Sequence, residues 1–316
     1  LCVLTGLAAG IYPAIYLSKF NPSKVLKNAT GSGKSLSGFR RVLVVLQFSL
    51  SITFVVTTII VYSQLQFILN KDVGLKKENM LRHDLNGIAG NKAAFRNEIV
   101  QIPGVQAMSC TNSSPFNIRR TTNLVSWNGK NQNDEVYVRV IQTDQHFVET
   151  FGVTLLDGRS FSDTYDATSL EVMINEEAAA MMSLENIVGS KINFYGEEVE
   201  VVGLLKNFNH QSLDKKIEPV IVRFSPQTWL SFIVINGDIS QTRQKIEEVY
   251  SKFEPNYPFN YGFVEQDYEK TYSHVSIMGQ LSNVFALVTI IVSCLGLFGL
   301  ASYMTEQRKK ETGIRK

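Results

Sequence analysis

The sequence predicts a membrane protein: transmembrane α-helices that carry a large α+β extracytoplasmic domain. Three observations lead there. Residues 42–70 and 271–304 contain no charged side chain. The segments flanking the hydrophobic stretches on their far sides are basic, with Lys19, Lys24, Lys27, Lys34, Arg40 and Arg41 at one and Arg308, Lys309, Lys310, Arg315 and Lys316 at the other. Between the two uncharged stretches lie about 200 residues of alternating strand-like and helical pattern.

Residues 1–18 are uncharged and apolar, with small residues at a four-residue step, Cys2, Gly6, Gly10, Ala14 and Ser18. That step places them on one helix face, where Gly6, Gly10, Ala14 and Ser18 allow close helix packing in lipid. Leu1 is not an initiating Met and has no basic n-region, so the segment of residues 1–18 is not expected to be a signal peptide. It is expected to be a transmembrane helix inside a longer protein. Residues 19–41 hold Pro22, Gly31, Gly33 and Gly38 and are expected to form a cytoplasmic linker. Within them, Thr30-Gly-Ser-Gly-Lys-Ser35 resembles a phosphate-binding loop, but Asn28 occupies the position where that loop needs glycine. A preceding strand and a following helix are not suggested either, so the segment is expected to be a flexible loop that binds no nucleotide.

Residues 42–70 are predicted to be a transmembrane helix and stalk. Val42–Tyr62 can cross the roughly 30 Å of hydrocarbon, and the amide-bearing continuation Ser63–Asn70 keeps apolar residues at helical spacing. Residues 271–304 mirror it, an uncharged approach followed by a span from Asn283 to Met304 in which Gly296 and Gly299 can serve helix packing. The two stalk segments are expected to pack on each other through Leu65, Ile68, Val275 and Ile277, with Phe67 also covered. Residues 305–316 form a cytoplasmic tail. The basic flanks place residues 71–270 outside, because a loop that long does not follow the charge rule and the short flanks decide.

The outside segment reads as α+β. Strands are expected at Asn79–Leu85, Val105–Thr111, Leu124–Trp127, Val136–Gln142, Glu171–Asn175, Val220–Phe224, Phe232–Asn236 and Tyr261–Val264. Ile192–Tyr195 and Glu198–Leu205 should form a hairpin over Gly196. Helices are expected at Lys92–Gln101, Asp144–Phe151, Glu176–Met182 and Gln241–Phe253.

Several function classes find no support. The formal net charge of +2 sums basic membrane flanks and an acidic middle, and no nucleic-acid signature accompanies it. Cys2, Cys110 and Cys294 are too few and too scattered for a disulfide framework or a metal knuckle. His83, His146, His210 and His274 are isolated and show no metal-ligand spacing. No serine sits in a nucleophile elbow, and the pairs Glu176-Glu177, Glu197-Glu198 and Glu247-Glu248 diverge on either a helix or a strand. Catalytic, cofactor and metal residues are therefore expected to be absent, and any chemistry belongs to a partner.

Five stretches carry a family resemblance: Gly10-Ile-Tyr-Pro-Ala-Ile-Tyr-Leu-Ser-Lys-Phe-Asn-Pro-Ser-Lys-Val-Leu-Lys27, Phe39-Arg-Arg-Val-Leu-Val-Val-Leu-Gln-Phe-Ser-Leu-Ser-Ile52, Val172-Met-Ile-Asn-Glu-Glu-Ala-Ala179, Val201-Val-Gly-Leu-Leu-Lys-Asn-Phe-Asn-His-Gln-Ser-Leu213 and Ser293-Cys-Leu-Gly-Leu-Phe-Gly-Leu-Ala-Ser-Tyr303 with its tail Glu306-Gln-Arg-Lys-Lys-Glu-Thr-Gly-Ile-Arg-Lys316. In this order they resemble the FtsX-like/MacB-like permeases of ABC transporters, especially the duplicated form common in Bacteroidetes. The resemblance implies a fragment spanning the end of a first permease half and the start of a second. It implies that residues 71–270 are a MacB-like periplasmic core of two lobes, about 71–114 plus 226–270 and about 115–225. It also implies a multi-pass protein of the bacterial inner membrane, with ATP on a separate ABC ATPase subunit rather than on this chain. A second permease copy, a periplasmic adaptor and an outer-membrane channel are the further partners it implies, alongside the lipid bilayer. By resemblance Arg308, Lys310, Glu311, Gly313, Ile314 and Arg315 begin the region that couples to the ATPase, and the function is export or mechanotransmission. The alternative is a membrane-anchored sensor whose extracytoplasmic domain binds a ligand.

Overall fold

The computed structural model describes residues 33–313 except 86–87, 89–90, 132–133, 163–169, 185 and 214. The expected helix at residues 1–18, with Gly6, Gly10, Ala14 and Ser18, lies outside the described residues, as do most of the expected linker and Ile314 and Arg315.

The chain divides into two compact units. The first holds residues up to Ser63 and those from Ile277 onward. It is built from two long helices, α1 (Gly33–Asn70) and the last helix of the chain, Ser273–Gly313. Their apolar parts, Val44–Asn70 and Ile277–Gly299, are 27 and 23 residues long. At 1.5 Å per residue these are about 40 and 35 Å, enough to cross a bilayer. Large apolar side chains such as Val45, Leu46, Leu295 and Phe298 point away from protein, which suits lipid and would be costly in water. Inside this unit Ser51 stands opposite Ser293, with 3.0 Å between the hydroxyl oxygens. A Cβ at Gly296 would lie 3.2 Å from Gln47 Oε1, and one at Gly279 would lie 3.3 Å from Val61. Position numbers rise on one helix as they fall on the other, so the pair is antiparallel.

One expectation needs correction here. Residues 33–41 are not a loop but the first turns of α1. Extending an existing helix fixes one residue per hydrogen bond and avoids the nucleation cost, so a Gly- and Ser-containing segment can join a long helix that would not form one alone. The helix missing from the phosphate-loop pattern is thus present after Gly33, whereas Asn28 still breaks the glycine pattern.

The second unit, Gln64–Ser276, is α+β. The elements of the chain after α1 are β1 (Met80–Asp84), α2 (Lys92–Val100), β2 (Val105–Thr111), β3 (Thr121–Thr122), β4 (Val125–Ser126), β5 (Val138–Thr143), α3 (Phe147–Phe151), β6 (Leu155–Gly158), β7 (Glu171–Asn175), α4 (Glu176–Met182), β8 (Lys191–Phe194), β9 (Glu197–Leu205), β10 (Val220–Phe224), β11 (Leu230–Ile235), α5 (Ile239–Phe253), β12 (Tyr261–Phe263), α6 (Val264–Thr271) and the long helix of the first unit, α7 (Ser273–Gly313). The strands form one sheet in the order β12-β1-β11-β2-β5-β10-β7-β9-β8-β4, with β3 on β5 and β6 on β9.

Local chemistry accounts for the elements that the sequence marks best. The β8–β9 hairpin turns through Tyr195 and Gly196, both at positive φ (56° and 84°), as a two-residue turn between twisted strands requires. Asn193 Oδ1 accepts from the Gly196 amide across it. Helix α4 starts where Asn175 Oδ1 accepts from Ala178 N, and Glu176 and Glu177 occupy its positive first turn.

Three apolar clusters hold the unit. One packs α2 and α5 on β1, β2 and β11 around Phe95, Ile99, Ile233, Ile246 and Tyr250. Another packs α4 on β7, β9 and β10 around Ile174, Ala178, Val201 and Ile221. The third contains residues of both expected lobes, among them Met80, Phe147, Phe151, Met173, Phe208 and Phe232. Where the sequence reading divides the lobes, near Ser114 and Ser225, the sheet narrows: β2 and β5 share the single pair Thr111–Thr143. That junction is reinforced by the half-buried Asp144 carboxylate, which accepts from Ser109 Oγ and Cys110 N at 2.7 Å each. Burial pushes the Asp144 pKa up, against the pull of those donors.

Candidate functional site

No group of three or more His, Cys, Asp or Glu side chains that could hold a metal occurs among the described residues. Two buried groups with chemical potential are quenched: burial raises the Cys110 thiol and lowers His210. The arrangement of interest is one that links elements distant in sequence. It is the loop of residues 206–213, which follows β9.

Most residues of that loop are tied to distant parts of the unit. Lys206 N donates to Thr154 O at 2.8 Å. Asn207 N donates to Glu176 Oε2 at 2.7 Å, and its side-chain oxygen accepts from Glu177 N and from Asn175 Nδ2. Phe208 is buried in the shared core. Asn209 N donates to Val73 O at 2.8 Å, and His210 O accepts from Ile118 N at 3.1 Å. Finally Leu213 N donates to the Tyr272 hydroxyl at 2.9 Å.

Those bonds reach the ends of both long helices. Val73 lies just after α1, in a turn where Asp72 Oδ1 accepts from Gly74 N. Gly74 has φ +75°, and a Cβ there would stand 3.1 Å from Asn207 O and Phe208 Cβ. Glycine is needed for both its backbone angle and its close approach. Tyr272 immediately precedes α7 and is 3% exposed. Between them, Lys77 Nζ donates to Leu69 O at 2.5 Å and sits 4.7 Å from the centre of the Tyr268 ring. Its charge thereby meets the negative end of α1 and an aromatic face together. Tyr268 packs edge-on against Tyr272, and burial raises its hydroxyl pKa.

The stalk residues have mixed locations. Leu65 and Ile68 are half-buried against the shared core cluster, together with Leu69. Phe67 is 65% exposed and Ile277 is 55% exposed, so these two differ from the expectation. Helical spacing explains the first case: residues 65, 68 and 69 lie on one face, and Phe67 points off it. Val275, Arg308, Lys310, Glu311 and Gly313 all lie in α7. Gly296 faces Gln47, whereas no described atom falls within 4 Å of a Cβ at Gly299. Residues 201–213 carry part of the family resemblance, which assigns them no role. The available signal was an unusual density of amide side chains, Asn207, Asn209 and Gln211, directly after a strand.

The family model of the MacB-like periplasmic core domain matches residues 42–270. Among solved structures, the chain is similar to the periplasmic region of MacB from Actinobacillus actinomycetemcomitans, at 14% identity and TM-score 0.45, over 64% of this chain and 96% of that one. It is also similar to the extracellular domain of the noncanonic ABC-type transporter YknZ from Gram-positive bacteria, at 13% identity and TM-score 0.40, over 58% of this chain and 98% of that one. No curated protein matches the chain significantly. The family match spans the apolar end of α1 and nearly all of the α+β unit, and the chain therefore belongs to the MacB-like periplasmic core domain family, within the MacB/FtsX-like ABC transporter permeases.

Proposed function

We propose that the chain converts ATP hydrolysis on a partner ABC ATPase into movement of its extracytoplasmic domain, either to export a cargo or to transmit force to a partner outside. The observation that carries this reading is the loop of residues 206–213, bonded to Val73 after one long helix and to Tyr272 before the other. A shift of either helix end is then felt by the sheet through hydrogen bonds and a buried Phe208, not through slack chain. In this reading the domain is periplasmic, in a multi-pass protein of the bacterial inner membrane. ATP is held by the ATPase and this chain binds no cofactor. A second permease copy makes a homodimer, with an adaptor and an outer-membrane channel as further partners.

The test uses the full-length permease with its ATPase in liposomes, carrying Asn131→Cys in a background without native cysteines. An environment-sensitive label at that position should respond to ATP. Tyr272→Phe, which removes the acceptor for Leu213 N, should reduce the response while ATP hydrolysis continues. An unchanged response would remove the loop from the coupling path. The same cysteine should react with an impermeant maleimide in cells opened only at the outer membrane, and Ser37→Cys should not. The reverse pattern would invert the topology.

A further inference from the structure

The Gln64–Ser276 unit contains a cleft of about 890 Å³ that the same loop borders. That volume is within the range of roughly 300–1,000 Å³ usual for small-molecule sites. One wall comes from β1 and from α6 with its C-terminal end, and the other from the segment around Phe116 and Arg119, from Arg139, and from Gln211, Ser212 and Lys215. The buried surface is apolar and aromatic, with Phe116, Tyr268 and Tyr272 each less than 10% exposed.

The charges lining it are unbalanced. Among the described residues of the lining, Arg82, Arg119, Arg139 and Lys215 face one carboxylate, Asp267. Two of the cations are already engaged. Arg82 Nε donates to Asp267 Oδ2 at 3.0 Å. Arg139 pairs with Glu218 and is held further by Ile118 O and Arg119 O at 3.1 and 3.3 Å. The other two, Arg119 and Lys215, are exposed and make no ion pair among the described residues. An apolar floor beneath uncompensated cations complements a molecule with an apolar body and a negative head, and it repels the same body with a positive head.

We propose that this cleft binds a small amphipathic anion, its apolar body on Phe116, Tyr268 and Tyr272 and its carboxylate or phosphate head on Arg119 and Lys215. Tyr272 is also the acceptor for Leu213 N. A ligand on its ring therefore touches the link between α7 and the loop, and occupancy can be passed to the helix.

The probe is 4-phenylbutyrate, compared with phenyl phosphate, 4-phenylbutanol and 4-phenylbutylamine. Binding to the full chain in phosphatidylcholine nanodiscs is read by saturation-transfer NMR, with empty nanodiscs subtracted. One or both of the anions should bind saturably and more weakly as salt rises, and whichever binds identifies the head group. The amine should not bind. The double variant Arg119→Glu, Lys215→Glu should weaken the anion at least tenfold, and Arg119→Gln with Lys215→Gln should weaken it less. Arg120→Glu, outside the cleft lining, should leave it unchanged. Both replaced side chains are exposed, and an unaltered circular dichroism spectrum checks that the fold persists. Equal binding of acid and amine, no binding of either anion, or wild-type affinity in the double charge-reversal variant would overturn the proposal.

Discussion

The side-chain amide nitrogen of Asn175 donates to the side-chain oxygen of Asn207 across 3.0 Å, joining the end of β7 to the loop after β9. Asn175 is fully buried and uses its whole hydrogen-bonding capacity. Its nitrogen also donates to Glu218 O, and its oxygen accepts from Ala178 N and Val220 N. Two segments separated by about thirty residues in sequence are thus one network, which caps α4, aligns β10 and fixes the loop that contacts both helix ends.

Asn175→Asp tests that network with a nearly isosteric change. The acceptor bonds from Ala178 N and Val220 N survive, but a carboxylate oxygen then faces Asn207 Oδ1 and Glu218 O, with no proton to share. Loss of two buried bonds, together with an unpaired buried charge, should cost about 2–4 kcal/mol at pH 7. Burial and the facing oxygens raise the new carboxyl's pKa, so the folded form binds its proton more readily than the unfolded one. The variant's deficit should shrink as pH falls from 7 to 5. Urea midpoints of the full chain in detergent at the two pH values measure this, and a deficit that grows on acidification would sink the argument.

His83 sets an opposite trend in the wild-type protein. Its ring lies 4.7 Å from Phe259, stacked, and 4.4 Å from Tyr250, edge-on. Burial first, and the neighbouring Arg82 charge second, lower its pKa to about 4. Above about pH 6.5 both folded and unfolded forms are neutral at this site and nothing is lost. Between 6.5 and 4 only the unfolded chain takes up the proton, so stability falls with pH by about 1.4 kcal/mol per unit, about 3 kcal/mol in all. His83→Phe keeps an aromatic ring among aromatic neighbours and removes the titration. Its stability should decline with acidification by one proton less than wild type. Identical slopes for the two proteins would show that His83 is already charged in the fold.

Much of this fold is legible in the sequence because its elements obey simple periodicities. Val105–Thr111, Glu171–Asn175, Glu176–Met182 and Val220–Phe224 have the bounds the pattern suggests. What escaped has a physical reason. In β6, Asp157 and Gly158 follow two leucines, and the strand lies mostly exposed, so no buried face writes an alternation into it. Helix α6 offers only Val264 and Tyr268, four apart, as apolar markers, and Val264 reads equally well as the end of a strand. The loop of residues 206–213 makes its bonds largely through backbone amides, to partners as distant as Val73 and Tyr272. Side-chain spacing carries no record of such pairings. The cleft is harder still to foresee, because Arg82, Arg119 and Lys215 line it from segments far apart in sequence.

The two glycines assigned to helix packing should behave differently. Gly296 lies where a Cβ would meet Gln47 Oε1 at 3.2 Å, whereas Gly299 has no described atom within 4 Å. Gly296→Val pushes two further methyl groups into that approach, an overpacking of about 1–3 kcal/mol, while Gly299→Val meets no described atom. The Ser51–Ser293 contact, 3.0 Å between hydroxyl oxygens, supplies the readout. With Ser51→Cys and Ser293→Cys in a background without other cysteines, oxidative cross-linking should proceed alone and with Gly299→Val, and slow sharply with Gly296→Val. Equal slowing by both would mean that the close approach of the helices continues past Gly296.

The tail after the second span tests whether these charges anchor the chain or address a partner. Residues Glu306-Gln-Arg-Lys-Lys-Glu-Thr-Gly-Ile-Arg-Lys316 hold acids among bases, whereas an anchor needs only positive charge. Glu311 and Arg315 are four apart, a spacing that shares one face on a helix, yet such a pair contributes only about 0.2–0.5 kcal/mol to its own helix. A large effect of reversing either charge therefore cannot come from helix stability and has to come from a facing surface. For the full-length permease, Glu311→Lys and Arg315→Glu should each lower stimulated ATP hydrolysis several-fold and weaken co-purification of the ATPase, with membrane level and topology unchanged. Lys309→Arg, which keeps the charge, should do neither. Glu311→Lys discriminates most sharply, because it strengthens a positive-inside anchor while removing an acid that a partner would read. If that variant matches Lys309→Arg in both assays, the tail is an anchor and the coupling contact lies elsewhere.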